Sequence, residues 1–337
     1  MPLARSNVNA IQAGRAVAAW MVVLGHGFTA IQAVAGDQQM FTHMASIFGR
    51  FAHWGVDLFF VISGTIMYML YGRLQAPTGV MAALTFWRRR IIRIYPLFWV
   101  TSLAGLALST PILPQPPGTN IWWQVFLVDV PQFNLVAWTL PYEMHFYFWV
   151  FIVILLSRSR PDIGLFALML ALPWIVYFNP FPSFYLLSSR LMLEFGLGIG
   201  VGISIRYINF LGGRMTVSMG IVGSIVGLYF LPHDIDGINN ARFWMLAVPS
   251  ALLLHGLIAL ERDGVFEAPS IIGTAGDRSY SVYLWHFPVM FAPVNHLFQP
   301  GLFGAMAWAI SHILAIIIIS EVSYRRIERP LMSRARR

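Results

Sequence analysis

There is no cysteine in this 337-residue chain, and none of its 22 basic residues is a lysine. The first absence excludes disulfides, thiolate metal sites and cysteine nucleophiles. The second excludes Schiff-base and lysine-base chemistry and leaves every basic side chain a permanently charged arginine. Charge of either sign is scarce, at 11% of residues, where an ordinary soluble domain carries about a quarter. Motifs for common soluble chemistry are missing too: there is no P-loop, dinucleotide fingerprint or nucleophile elbow. His43, His53, His233 and His296 give no metal-like spacing, so no metal is expected. The first apolar run holds Arg15 and lacks a small-residue cleavage site, so it does not read as a removable signal peptide.

What is present is apolar: 58% of residues are hydrophobic and the mean hydropathy is +0.67. Segments of spanning length recur at 10–33, 54–72, 91–110, 137–156, 163–179, 187–205, 214–231, 243–260, 279–297 and 302–322. The expected fold is therefore all-α, a polytopic integral membrane protein of about ten transmembrane helices. It is expected to form a single transmembrane domain over 1–337, with no soluble domain attached. The stretch 119–131 is too short to span and reads as an interfacial helix, with Trp122 and Trp123 at headgroup level. Gly196, Gly198, Gly200 and Gly202 form a small-residue stripe suited to close helix packing.

Arginine placement sets the orientation. Arg73, Arg88, Arg89 and Arg90 crowd loop 73–90, with Arg93 just beyond. Arg158, Arg160, Arg206 and Arg214 mark later loops, and six arginines crowd 325–337. Loops 111–136, 180–189 and 298–301 have none, and 34–53 has only Arg50. The positive-inside rule then puts both termini in the cytoplasm, as an even number of spans requires. The net charge of +8 follows these loops rather than a nucleic-acid surface.

Arg15 and His26 lie on the first span, eleven residues apart. That spacing returns to within about 20° of the same helical face and separates them by about 16 Å along the axis. Ionisable groups on a membrane-buried stripe are costly and mark function by default. Asp57 and Glu143 open two descending spans and fall in the outer third, near the depth of His26. Either carboxylate would hold the imidazole in one tautomer and raise its basicity. A proton relay in a transporter of lipid-linked sugars is the competing reading of His26, Asp57 and Glu143. Arg88, Arg89, Arg90 and Arg93, with Arg15 at the same face, either anchor the helix or hold phosphates through bidentate bonds. His286 reads more simply as a packing residue than as a catalytic one.

Taken in order, several segments resemble the bacterial membrane-bound acyltransferase family three. They are Arg15 with His26; Asp57-Leu58-Phe59-Phe60-Val61-Ile62-Ser63-Gly64; Arg89 to Pro96; Trp138-Thr139-Leu140 with Glu143 and Tyr147; Ser279 to Pro288; and Ile327-Glu328-Arg329-Pro330. Thr65 departs from the pattern, which has an aromatic after Ser-Gly. The resemblance implies an O-acyltransferase of the bacterial inner membrane, moving an acetyl or other acyl group from cytoplasmic acyl-CoA to a sugar hydroxyl. The acceptor would be a surface or exopolysaccharide or its lipid-linked precursor. His26, Glu143 and Asp57 would be catalytic. Arg15, Arg88, Arg89, Arg90, Arg93, Ser63, Tyr147 and His286 would bind substrate or CoA. No cofactor would be held permanently; acyl-CoA, with acetyl-CoA the simplest case, would be a co-substrate.

Overall fold

The computed structural model describes residues 9–35, 39–71, 78–108, 110, 112–114, 120–157, 164–165, 167–169, 171, 191–207, 212–231 and 240–336. These are predominantly helical, with no strand among them. The helices are α1 (Asn9–Ala35), α2 (Gln39–Tyr71), α3 (Val80–Ala107), the short α4 (Ile121–Val125) and α5 (Thr139–Leu156), which follows a 3-10 turn at Leu135–Trp138. After them come α6 (Leu191–Tyr207), α7 (Gly213–Phe230), α8 (Val248–Arg262, entered through a π-helical turn at Phe243–Ala247) and α9 (Ser270–Asp277). The chain ends in α10 (Ser279–Met290), α11 (Leu302–Ser323), a π turn at Tyr324–Glu328 and α12 (Arg329–Arg336). Six helical segments among the described residues are long and apolar enough to cross a membrane. Most of the expected span 163–179, the loop 180–189, and Arg73, Arg158, Arg160 and His233 lie outside the described residues.

Several boundaries differ from the hydropathy reading, for one reason: hydropathy marks where a helix is apolar, not where it is hydrogen-bonded. Helix α2 starts at Gln39 rather than 54, and α3 at Val80 rather than 91. Arg88, Arg89 and Arg90 therefore sit on a helix instead of in a loop. Helix α10 stops at Met290, short of the expected 297, because Pro293 disfavours helical backbone at Ala292. Helix α9 lies in a stretch read as a connection.

The chain divides into two compact units. The first holds Met1–Ala18, Trp54–Thr85 and His145–Asp277. Its core gathers Ala10, Ile11 and Ala18 of α1, Leu58, Val61 and Ile62 of α2, Val201 and Ile205 of α6, and Ala251, Leu254 and Ile258 of α8. Where α2 meets α6 the backbones nearly touch: a Cβ on Gly198 would fall 2.0 Å from the Val61 carbonyl oxygen. The buried Thr65 hydroxyl lies 2.9 Å from the carbonyls of both Val61 and Gly198, so it ties the two helices at that level. A side chain as small as threonine permits this close approach.

The second unit holds Ala19–His53, Phe86–Met144 and Arg278–Arg337. Within it α1 and α2 pack as a hairpin, with Phe28 stacked on Phe48 at 4.2 Å between ring centroids. Helix α4 is fastened to α3 from its C-terminal side. The Tyr95 hydroxyl donates to the Phe126 carbonyl at 2.6 Å, and Trp99 Nε1 to that of Val125 at 3.0 Å. Trp122 and Trp123 are both exposed, as an interfacial segment requires.

Candidate active site

Helix α10 carries a polar group on nearly every turn, and each reaches a different element of the second unit. Arg278, just before the helix, pairs with Glu321 of α11. The Tyr280 hydroxyl donates to the Ile94 carbonyl of α3 at 2.8 Å, and Ser281 donates to Glu328 of the π turn at 2.8 Å. The Tyr283 hydroxyl donates its proton to the Val136 carbonyl at 2.5 Å. Its oxygen must then accept from Thr139, 2.8 Å away, since a phenol has one proton to give. Contacts on five elements leave α10 little freedom to slide or turn.

The group so held is His286, completely buried. Its Nε2 lies 3.1 Å from Nδ1 of His26 on α1, and the two rings stack at 5.1 Å with a 25° tilt. Alongside them α1 and α10 pass closely, a Cβ on Gly27 falling 3.3 Å from the Met290 methyl. Glu143, half-buried one turn beyond Thr139, is near enough for its charge to act on the Tyr283 hydroxyl. His26 thus faces another imidazole. Sequence reading treated His286 as packing; the clue lay in the density of polar residues on α10, each demanding a partner in an apolar setting.

Asp57 sits in the first unit with a partner of its own. Arg242 Nε lies 2.9 Å and 3.2 Å from its two carboxylate oxygens, and Nη2 also reaches Oδ1. Asp57, Arg242 and Glu194 are all buried, and the Glu194 carboxyl is near enough to Asp57 and Arg242 for their charges to act on it. Neither Arg242 nor Glu194 was singled out from sequence. Glu194 could have been, because an acid amid the apolar run of α6 is itself a signal. Arg242 is one of the few arginines outside the basic loops.

The remaining candidates divide between the units. Arg15 is nearly buried in the first, its Nη1 donating to Gln12 Oε1 at 3.1 Å. Ser63 (half-buried) and Tyr147 (buried) also belong there. In the second, Arg88 and Arg89 reach the Ala335 carbonyl near the end of α12 at 3.4 and 3.3 Å, and Arg93 lies 3.9 Å from the Met332 sulfur. Arg90 stands over the Phe86 ring. Guanidinium groups at a helix C-terminus suit its dipole, so these arginines dock α12 as well as forming a basic cluster. No group of metal-ligating residues occurs among the described residues.

An imidazole pair held by an over-determined helix inside an apolar helical bundle suits acyl transfer, and the sequence comparisons agree. Residues 8–324 match the family described as an acyltransferase domain, and the chain belongs to that family. It is a membrane acyltransferase. Among its relatives, the exopolysaccharide production protein ExoZ of Rhizobium meliloti is 30% identical over 309 residues, covering 84% of this chain and 90% of ExoZ. The O-acetyltransferase OatA of Staphylococcus aureus is 27% identical over 325 residues, covering 82% of this chain but 52% of OatA, so the chain spans about half of that protein. The acyltransferase MdmB of Streptomyces mycarofaciens is 25% identical, with 88% and 84% covered. No solved structure matches the chain.

Proposed function

We propose that this protein is an O-acyltransferase of the bacterial cytoplasmic membrane. It moves an acyl group, acetyl in the simplest case, from cytoplasmic acyl-CoA to a sugar hydroxyl of a surface or exopolysaccharide or its lipid-linked precursor. About ten spans with both termini cytoplasmic provide the frame, supported by the arginine asymmetry of the loops. Similarity to the exopolysaccharide production protein ExoZ and the O-acetyltransferase OatA supports the polysaccharide acceptor and the acetyl group.

The His26–His286 pair carries the proposal. One facing nitrogen must donate and the other accept. With His26 Nδ1–H donating to His286 Nε2, His26 keeps its lone pair on Nε2. That nitrogen takes the proton of the acceptor hydroxyl as the oxygen attacks the thioester carbonyl. The tetrahedral intermediate collapses by breaking the C–S bond, and the imidazolium returns the proton to the departing CoA sulfur. Glu143 stabilises the imidazolium by its charge. On α1, Arg15 binds a phosphate of the CoA donor, and the roughly 16 Å that separates it from His26 along that one helix suits an extended pantetheine arm. The α3 arginines are the alternative phosphate ligands.

The test is acyl transfer from radiolabelled acetyl-CoA by purified protein in lipid. His26→Ala should lower the rate by on the order of 10²–10⁴-fold while the protein stays folded. Wild-type protein that neither releases CoA nor transfers label would instead favour a transporter.

A further inference from the structure

In the first unit, Gln12 stands between two charged groups. Its Nε2 lies 2.9 Å from Asp277 Oδ1 at the end of α9, and its Oε1 accepts from Arg15 Nη1 at 3.1 Å. A carboxylate only accepts and a guanidinium only donates, so the amide has one orientation that satisfies both neighbours. Flipping it would break both bonds at once. Arg15 lies one turn along α1 from Gln12, on the same face.

The surrounding contacts keep this chain of groups in register. Glu261 of α8 caps the start of α1, its carboxylate oxygens accepting from the Asn9 and Ala10 amides at 2.7 and 2.8 Å. Gly276, next to Asp277, packs on α1 so tightly that a Cβ there would fall 2.2 Å from the Gln12 carbonyl oxygen. Asp277 itself ends α9, where the helix dipole disfavours a carboxylate, so it is placed against helical preference and met by a donor.

We infer that Gln12 and Asp277 are positioning residues for Arg15, the amide relaying the orientation set by the carboxylate so that the guanidinium is aimed at the acyl-CoA phosphates. This rests on the role proposed for Arg15. Because Arg15 binds the donor rather than reacting with it, losing its orientation should raise the KM for acyl-CoA and leave kcat in place.

The experiment measures kcat and KM for acetyl-CoA on the full-length protein in lipid, with thermal melting as a check of folding. Arg15→Ala sets the reference rise in KM. Gln12→Ala and Asp277→Ala should each raise KM roughly three- to tenfold with kcat kept. Gln12→Glu should also raise it, because the new carboxylate faces Asp277. Adding Asp277→Asn should restore KM, since the Asn amide donates where Asp277 accepted. A rise in KM for Arg15→Ala without one in the Gln12 and Asp277 variants overturns this inference and leaves the role of Arg15 standing. An unchanged KM for Arg15→Ala overturns both. A loss of kcat that accompanies a lowered melting temperature, without rescue by the swap, would make the contact mere packing and also overturn it.

Discussion

At the residue scale, the His26–His286 contact separates orientation from chemistry. His286 contacts His26; if His26 is the base, as proposed, and His286 orients it, the loss of His286 should act through geometry. In the tautomer proposed above, truncating it removes the imidazole that faces His26 Nδ1 and loosens the ring. His286→Ala should lower kcat roughly 10- to 100-fold, less than His26→Ala, with the KM for acetyl-CoA unchanged. Steady-state kinetics in acetyl-CoA checks this, and a fall as deep as that of His26→Ala would make His286 a direct participant. The residue types were legible beforehand: an arginine, a histidine and two acids in apolar helices announce themselves by cost. Their pairing was not. Asp57 reaches Arg242, 185 positions along the chain, and His26 reaches His286, 260 positions along. Periodicity within one helix carries no information about which distant helix lies opposite.

At the scale of elements, close backbone approach fixes how α2 and α6 pack in the first unit. Gly64 and Gly198 face each other's helices; a Cβ on Gly64 would fall 2.1 Å from the Phe195 carbonyl oxygen. Backbone atoms cannot move aside as a flexible side chain can. Gly198→Ala should therefore destabilise by about 1–3 kcal/mol or more through overpacking, lowering the melting temperature in detergent. Gly49→Ala on α2 is the control, because nothing lies within 4 Å of its Cβ direction. That variant should be neutral or more stable by up to about 1 kcal/mol. The small-residue stripe of α6 was readable as a packing face, though not which helix it would meet. Helix ends were less readable: α2 and α3 run on into polar sequence because hydrogen bonding does not stop where hydropathy does. The opposite held for α10, where Pro293 ends the helix while the chain is still apolar.

At the scale of the whole molecule, donor and topology stand or fall together. Acyl-CoA is a soluble cytoplasmic metabolite, so the arginines proposed to hold its phosphates must face the cytoplasm. Arg88, Arg89 and Arg93 contact α12, which ties the side of that cluster to the side of the C-terminal helix. The absence of native cysteine makes this directly measurable, because any introduced thiol is the only one present. Ser333 on α12 is exposed and bonds only locally, to Pro330. Leu297 is exposed, beside the arginine-free loop 298–301. In spheroplasts, a membrane-impermeant maleimide should label Leu297→Cys and spare Ser333→Cys; in inverted vesicles the pattern should reverse. Labelling of Ser333→Cys from outside would place the basic cluster on the face that acyl-CoA does not reach. The donor would then have to be an extracytoplasmic acyl carrier, whatever the fate of the histidine pair.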